Sequence, residues 1–476
     1  MSWPLEPLGS ICEIVSGITK DSKKQGDEYR EVPYLRVANV QRLRLDLSEM
    51  KTIPAKETTI ASYRLEAGDI LLNEGGDRDK LGRGWIWQGQ ISECIHQNHV
   101  FRARIRAGKA IPKWIAYYAN TNEARAYFLT SGKQTTNLAS ISKKNLSALP
   151  VPLPTTDVQE SVVAEIDIQL SRLDETVTIL QGIQAKLKQA RASILKAAVE
   201  GRLVETEAEL GRAGASQLKS ASELLAEICP THPRNGTEKR QVKLKIEHAG
   251  LGELQEVDGV SLPNTPEGWA WTFIGSIATT VRNGYSGKPS DHGPVKILRI
   301  SAVRAMSVNI ADTRSLPGHI SDYANAVARE GCLLITRYNG NPHLVGVMGH
   351  YRSKDLVVHP DKLIRVELAS EKIRPEWIEI AFNTGLTRSL LRKRVRTTAG
   401  QAGISGQDIK AMPIPLPPTE EQIRIVREVN RRFSVLDQVE STVQASLARC
   451  TLQRQAILKR AFEGRLVPPP PEPHGR

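Results

Sequence analysis

Two pairs of glycine-flanked polar loops carry the side chains best suited to act on another molecule. Their sequences are GGDRDKLGR (75–83) and KQTTN (133–137), and later RYNGNPH (337–343) and RTTAGQ (396–401). Arg, Lys, Asn and Gln can hydrogen-bond to the edges of bases, while Lys, Arg and Ser/Thr hold phosphates. A solvated surface side chain is the alternative for each residue alone. As a group they predict DNA contacts, made by Arg78, Lys80, Arg83, Lys133, Gln134, Thr135 and Asn137, and by Arg337, Tyr338, Asn339, Asn341, His343, Arg396, Thr397 and Gln401.

The charge balance points in the same direction. The chain has 65 Lys and Arg residues against 52 Asp and Glu, a formal net charge of +13. Such an excess favours a polyanionic partner, although it also serves solubility.

Motifs of catalysis and cofactor binding are missing. The sequence has no P-loop, no dinucleotide fingerprint and none of the Pro-Pro-aromatic tetrapeptides of amino-methyltransferases. GYSGKPS (284–290) has the wrong spacing for a phosphate loop, and we interpret it as an ordinary loop. His96 and His99 lack a second ligand pair, so we expect no metal site. The chain is predicted to bind and position without catalytic residues or cofactors of its own. A nuclease with scattered carboxylates remains the alternative.

Cysteine usage and hydropathy predict a cytoplasmic protein with no membrane partner. Five cysteines stand far apart, at Cys12, Cys94, Cys229, Cys332 and Cys450. Their odd number argues against a disulfide framework. We see no secretory signal and no apolar run near the roughly 18–20 residues that cross a bilayer.

The chain contains an internal duplication with an offset of 263 residues. GRLV occurs at 201–204 and 464–467, and LPVPLP (149–154) matches MPIPLP (412–417). At the same offset PKWIAYYANT, from Pro112, matches PEWIEIAFNT, from Pro375. LGSI and IGSI near the two starts are 266 residues apart, which indicates a small insertion. Several ungapped matches at one offset make the duplication secure.

Each copy begins with a loop-rich part of about 150 residues. Alternating apolar runs such as VPYLRVANV and GDILL predict strands, and one amphipathic helix is predicted at 112–122 and again at 375–384. The alternating prolines that follow predict an extended, hinge-like stop. We expect the tryptophans Trp85, Trp87, Trp114 and Trp377 to lie in the core.

A long helix closes each copy. Apolar residues recur at three- and four-residue steps, a heptad pattern interrupted by Gln184 and Arg191 in the first copy. A Thr before acidic residues and a Gln suits the helix start, and the Gly of EGRLV suits its end. We expect the helices to pair through their apolar seams, and separate helices packed on globular cores are the alternative. The predicted seam consists of Val163, Ile166, Leu170, Leu173, Val177, Leu180, Leu187 and Ile194 with Val426, Val429, Phe433, Leu436, Val443, Leu447, Cys450 and Ile457.

These motifs together resemble the specificity subunits of type I restriction–modification systems over nearly the whole chain. The resemblance rests on AAVEGRLV (197–204), RAFEGRLV (460–467), ASELLAEI (221–228), LPNTPEGWAWTFIGSI (262–277), and PLPTTDVQ and PLPPTEEQ before the long helices. It implies an α+β fold with two target-recognition domains separated by two long helices that pair as an antiparallel coiled coil. The expected boundaries are 1–154 and 266–417 for the domains, 155–204 and 418–467 for the helices, 205–265 for a linker with a short helix, and 468–476 for a Pro-rich tail.

The resemblance also implies a function. Each domain would read one half of an asymmetric, split site in double-stranded DNA, and the helices would space the domains and dock two methyltransferase (modification) subunits. Restriction/translocase subunits would complete the assembly, and S-adenosylmethionine, ATP and Mg would bind to those partners. Besides the nuclease, a coiled-coil adaptor whose globular parts bind protein is the remaining alternative.

Overall fold

The computed structural model describes residues 3–19, 26, 28–134, 139–214, 220–228, 256–398 and 400–467. The chain packs into two compact units. Unit 1 consists of Met1–Ile183 together with Thr442–Arg476, and unit 2 of Gln184–Ser441. The division therefore falls inside the long helices rather than at their expected starts, because each globular part packs on segments of both helices.

The first half of the chain supplies most of unit 1. Its helices are α1 (Leu8–Ile11), α2 (Glu57–Tyr63), α3 (Pro112–Ala119), α4 (Asn122–Ser131), α5 (Lys143–Ser147) and the long α6 (Thr156–Val199). Its strands are β1 (Leu5–Pro7), β2 (Cys12–Ser16), β3 (Arg30–Leu35), β4 (Val40–Gln41), β5 (Arg44–Leu45), β6 (Lys51–Ala55), β7 (Ile70–Asn73), β8 (Gly75–Gly76), β9 (Gly84–Ile86), β10 (Ile95–His96), β11 (Val100–Ile105), β12 (Lys133–Gln134), β13 (Ala139–Ser140) and β14 (Pro150–Pro152).

The second half repeats this order. Its helices are α7 (Glu207–Arg212), α8 (Ala221–Ile228), α9 (Ile274–Ile277), α10 (Pro375–Asn383), α11 (Gly385–Arg394), α12 (Gly406–Lys410) and the long α13 (Thr419–Phe462). Its strands are β15 (Glu256–Val257), β16 (Val260–Ser261), β17 (Ala270–Phe273), β18 (Ala278–Asn283), β19 (Val295–Leu298), β20 (Val303–Arg304), β21 (Ser307–Val308), β22 (Thr313–Leu316), β23 (Val327–Ala328), β24 (Leu333–Thr336), β25 (Tyr338–Asn339), β26 (Met348–His350), β27 (Val357–Val358), β28 (Leu363–Leu368), β29 (Arg396–Thr398), β30 (Gln401–Gly403) and β31 (Pro413–Leu416).

The duplication extends to sheet topology and register. Unit 1 has an antiparallel sheet β2-β11-β7-β9 and unit 2 has its counterpart β18-β28-β24-β26. A second sheet contains a parallel pair in each unit, Tyr34 beside Ile95 and Ile297 beside Val358. Both partners differ by 263 residues between the units. The offset found in the sequence is therefore an offset of three-dimensional structure.

The proline-rich segments are buried β-strands, so the expected hinge-like stop is wrong. β14 pairs with β1, and β31 pairs with β17. The Trp114 indole N–H donates to the Pro152 carbonyl over 2.8 Å, and that of Trp377 to Pro415 over 3.0 Å. Both indoles are fully buried, and because the two strands lie at sheet edges, prolines without N–H groups are tolerated there. The segments join each helix bundle to its sheet instead of bending.

Two glutamines fix the start of each long helix. The side-chain oxygen of buried Gln159 accepts the Ile111 backbone N–H over 3.0 Å, and its amide donates to the Pro154 carbonyl over 2.9 Å. Gln422 makes the same pair of bonds, to Arg374 over 2.8 Å and to Pro417 over 2.9 Å. These bonds tie the long helix to the chain just before α3 or α10. The repeated Gln of the two motifs is therefore a tertiary clamp as well as part of a helix start.

The long helices run antiparallel. In unit 1, Asp174 forms an ion pair with Arg454. In unit 2, Arg191 pairs with Asp437 and, over 2.8 Å, with Glu440. All the predicted seam residues are buried or half-buried. Arg191, which interrupts the heptad pattern, lies over the Phe433 ring and uses its charge between the helices. The paired-helix arrangement predicted from the heptads is confirmed.

Both long helices end in the same glycine motif. Gly201 has a φ of 66° and Gly464 a φ of 70°, the left-handed conformation that favours glycine. The next N–H groups reach back over 2.8 Å, from Arg202 to the Ala197 carbonyl and from Arg465 to the Arg460 carbonyl. These are the bonds of a Schellman motif, so the predicted caps are confirmed.

The segment interpreted as a linker belongs in part to unit 2, which corrects that expectation. The short helix predicted near its middle is α8, and Ala221, Leu224, Leu225 and Ile228 lie in the unit 2 core. α7 begins with a capping box of Thr206 and Glu209, and Glu207 pairs with Arg424 of α13. Burying apolar residues of both helices anchors the segment on the unit. The basic stretch 239–245 and the Pro-rich tail lie outside the described residues.

No helix in the described part of the chain combines the length and apolarity needed to cross a membrane.

Replacing Leu458 of α13 by Ala should destabilise unit 1. The Leu458 side chain is fully buried, whereas Leu452 on the same helix is 72% exposed. Truncating a buried Leu leaves a cavity and costs roughly 2–5 kcal/mol, while an exposed one costs almost nothing. We expect Leu458→Ala to lower the urea midpoint clearly and Leu452→Ala to leave it unchanged. Equal shifts for both variants would contradict this packing.

Candidate nucleic-acid interface

In each unit the two predicted loops come together in one small antiparallel sheet. Reader sheet 1 is formed by β12, β13 and β8, and reader sheet 2 by β29, β30 and β25. Gly76 lies beside Ala139 in the first, and Asn339 lies beside Ala402 in the second. Loops about sixty residues apart in sequence are thus neighbours in space, at equivalent places in both units.

Reader sheet 1 presents two fully exposed candidate cations. Arg78 and Lys133 have exposed side chains. Lys80 is half-buried and pairs with Asp77. Arg83 is half-buried, and its Nε donates to the Val40 carbonyl over 3.1 Å. Gln134 contributes its backbone to β12, and the predicted contacts Thr135 and Asn137 lie outside the described residues.

Reader sheet 2 is more rigidly built. The Tyr338 ring lies against Gly403, where a Cβ would overlap it, so the close approach requires glycine. The Arg337 guanidinium stacks 4.7 Å above the Tyr338 ring, and its Nη1 donates to the Asp361 carbonyl over 3.3 Å. These contacts make Arg337 part of the frame that supports the sheet.

The remaining candidates of unit 2 project from the edges of this sheet. Asn339 and Asn341 use their side-chain oxygens locally, accepting backbone N–H groups over 2.9 and 3.0 Å. These bonds fix the tight turn that follows β25. The other members of the predicted set are exposed, namely His343, Arg396, Thr397 and Gln401.

A basic groove of about 770 Å³ lies beside reader sheet 2. Tyr338, Asn339 and Gln401 line it, and so does the loop 285–289. Its five cations are exposed: Lys288, Arg299, Arg304, Arg314 and Lys362. We call these five residues the groove cations. The sequence analysis missed them, although the motif GYSGKPS, which was interpreted only as a loop, contains Lys288.

The equivalent surface of unit 1 is closer to electrical neutrality. At 263-residue offsets, Arg36 and Lys51 correspond to Arg299 and Arg314, and both lie near Glu49, at 3.5 and 3.8 Å. His99 stands in place of Lys362 and lies 2.9 Å from Glu74. In unit 2 only Arg299 has a carboxylate in a similar role, Asp312 at 3.8 Å. The groove of unit 2 therefore has the stronger positive field.

Two buried histidines are structural. His96 and His359 occupy equivalent positions, with Nδ1 2.7 Å from the Val100 carbonyl and 2.6 Å from the Ala326 carbonyl. Burial lowers the pKa of each to about 4, so both stay neutral near pH 7. Within the described ranges no three His, Cys, Asp or Glu side chains are grouped as a metal site would require.

Comparisons with known proteins agree with this architecture. Residues 2–189 match the family described as "Type I restriction modification DNA specificity domain". The chain is 29% identical over 473 residues to the EcoKI specificity subunit of Escherichia coli K12, covering 98% of this chain and 89% of that protein. It is 24% identical over 472 residues to the StySPI specificity subunit of Salmonella potsdam, with the same coverages. The chain belongs to the family of type I specificity subunits.

A solved structure supports the fold of this family member. It is described as "Structural basis underlying complex assembly and conformational transition of the type I R-M system", and one of its chains aligns with a TM-score of 0.61. The alignment covers 98% of both chains at 16% identity. At that identity the likeness concerns the fold, and it agrees with two repeated domains and paired long helices.

Arg388 holds the loop between β25 and β26 of this specificity subunit. It is buried on α11, and its guanidinium donates to the carbonyls of His343, Val345 and Gly346 over 2.7–2.9 Å. Burial, and then the neighbouring Arg392, lower its pKa to about 10, so it remains charged near pH 7. Three carbonyl oxygens without another described donor depend on this one side chain.

Replacing Arg388 by Met should loosen the loop 341–347. The methionine fills a similar volume but leaves three carbonyls without their donor, which costs more than losing an exposed bond. We expect faster amide hydrogen exchange in this loop and a lower melting temperature. Arg392→Met, on the exposed side of the same helix, serves as the control. Unchanged exchange in Arg388→Met would show that the loop is held by other contacts.

Proposed function

We propose that this chain recognises an asymmetric, bipartite sequence in double-stranded DNA for a type I restriction–modification assembly. The observation that carries the proposal is the pair of reader sheets, which share one register but present different side chains. Unit 1 has Gly75 and Gly76 where unit 2 has Tyr338 and Asn339. A shared frame with different reading groups suits two half-sites of different sequence.

The reading chemistry of unit 2 combines two kinds of contact. Asn and Gln can pair with base edges in the major groove, and we assign this role to Asn341 and Gln401, which are exposed at the sheet edge. The groove cations supply contacts to phosphates, which add affinity and little sequence information. Base reading and backbone binding are therefore adjacent but use separate residues.

The outer faces of the long helices are candidate docking surfaces for the methyltransferase subunits. In unit 1, Ile168, Ile179 and Leu452 are 47%, 58% and 72% exposed. In unit 2, Val435 and Val439 are 56% and 39% exposed. Large apolar side chains on a helix surface favour protein contacts over solvent. S-adenosylmethionine, ATP and Mg are assigned to partner subunits, including the restriction/translocase subunits.

We also propose a cytoplasmic location for this assembly. Cys12, Cys94, Cys332 and Cys450 are all buried and unpaired. Free thiols are usual in reducing compartments. Neither the comparisons nor the site geometry favours the alternatives of a stand-alone nuclease or a protein-binding adaptor.

The groove cations should control the salt dependence of DNA binding. Removing one cation that contacts a phosphate should reduce the slope of log K against log[salt] by about 0.9. We expect Arg304→Ala, Arg314→Ala and Lys362→Ala each to reduce the slope by up to this amount, measured by fluorescence anisotropy on a duplex with the cognate site. Lys354→Ala removes an exposed lysine that does not line the groove and should leave the slope unchanged. Identical slopes in all four variants would remove the groove from the interface.

The long helices should set the gap between the half-sites. Adding seven residues to both helices, after Gln184 and after Leu447, preserves the heptad seam and lengthens each helix by about 10.5 Å. At about 3.4 Å per base pair, the preferred gap should grow by about three base pairs. Selection from a library of DNA duplexes with random gaps measures this directly. A variant with altered half-site sequences at the original gap would contradict the spacing role.

A further inference from the structure

The same loop carbonyl is held by arginines from different elements in the two units. In unit 2, Arg388 of α11 donates its Nη2 to the His343 carbonyl over 2.8 Å. The equivalent carbonyl of unit 1 is that of Asp79, and there Arg42, between β4 and β5, donates its Nη2 over 3.3 Å. Unit 2 has Ala305 at the position of Arg42. The structural task has therefore moved from the helix to the hairpin.

This exchange leaves an arginine without a structural task in unit 1. Arg125 is the counterpart of Arg388, 263 residues earlier in the chain, yet it is exposed on the first turn of α4. Its guanidinium has no hydrogen-bond or ion-pair partner among the described residues. A third arginine, Arg83, stands where unit 2 has the buried Val347, and only its Nε is bonded, to Val40.

The three guanidinium groups form a cluster of like charge. Arg42 is half-buried, with its Nη1 3.4 Å from the side-chain oxygen of Asn120 just before α4. Burial and then the charges of Arg125 and Arg83 lower the Arg42 pKa, and only Asp79 acts in the opposite direction. Like charges held together in this way favour an anion that offers several acceptor oxygens.

Other charges near the cluster leave it positive. Asp77 is already paired with Lys80. Glu123 is exposed on the first turn of α4, beside the backbone N–H groups that begin the helix. Those N–H groups add to the positive field, because the start of a helix carries a partial positive charge.

We propose that Arg42, Arg83 and Arg125 bind a phosphate group of the DNA backbone beside reader sheet 1. The site deepens the proposed function, because Arg42 also holds the turn 78–80 that follows β8. Arg125 and the free end of Arg83 supply the contacts, and Arg42 supplies charge from behind. Unit 2 has no equivalent, since two of the three positions are Ala305 and Val347.

The test is the salt dependence of DNA binding by the full-length chain carrying Arg125→Ala. We expect the slope of log K against log[salt] to fall by about 0.9, with affinity reduced by the same factor on cognate DNA and on DNA altered in one half-site. The melting temperature should stay unchanged, because Arg125 is exposed. Arg125→Lys should keep most of the slope. Lys109→Ala, an exposed lysine between β11 and α3, is the matched control.

The outcomes separate this inference from the proposed function. A wild-type slope in Arg125→Ala, with wild-type discrimination intact, would overturn the arginine site alone. A wild-type chain that binds all duplexes equally would overturn the proposed function itself. Inorganic phosphate is the second probe. If it competed with DNA at micromolar concentration in the wild type and not in Arg125→Ala, the cluster would be a site for a free anion instead of a DNA contact.

Discussion

The burial of the apolar helix seams against the two globular cores is the constraint on which the rest of the structure depends. In unit 1, Trp114 packs 4.5 Å from Phe462, so a residue near the end of α13 completes a core begun in the first half of the chain. Neither segment could bury this surface alone. Cooperative burial of aromatic and aliphatic side chains gives the largest share of such stability, and it fixes where each reader sheet stands on its unit.

Repeated hydrogen bonds then make the two units alike in detail. Trp114 and Trp377, Gln159 and Gln422, and Gly201 and Gly464 make equivalent contacts. All three pairs connect a long helix, or the proline-rich strand before it, to the rest of its unit. Because the frame is held so firmly, the loops between the strands are free to differ. The exchange of Arg388 for Arg42 shows that even a shared loop contact can be kept by different residues.

The fold could be predicted from the sequence to a large extent. The 263-residue offset, the heptads and the EGRLV motif depend on local patterns that a sequence displays directly, and they identified the repeat, the paired helices and the caps. The expectation for the prolines was wrong because their role depends on pairing with a strand almost 150 residues away. The expectation of a linker was wrong because α7 and α8 are anchored by contacts with α13, which no local pattern reveals.

The candidate site was predicted in part. Polar loops rich in glycine led to the strands of both reader sheets, but not to their meeting in space. The groove cations were missed because Arg299, Arg304 and Arg314 come from a separate sheet and an adjoining hairpin, where they look like ordinary surface charges. Which arginine is bonded and which is free, as with Arg388 and Arg125, depends on tertiary contacts that sequence spacing does not contain.

The central claim is that this chain alone determines which DNA sequence its assembly modifies. The most direct measurement is a genome-wide map of methylated bases in cells that carry the modification subunits, with and without this chain. The account predicts a motif of two different half-sites with a fixed gap, present only when the chain is expressed. The same motif in cells lacking the chain, or a single uninterrupted palindrome, would contradict it.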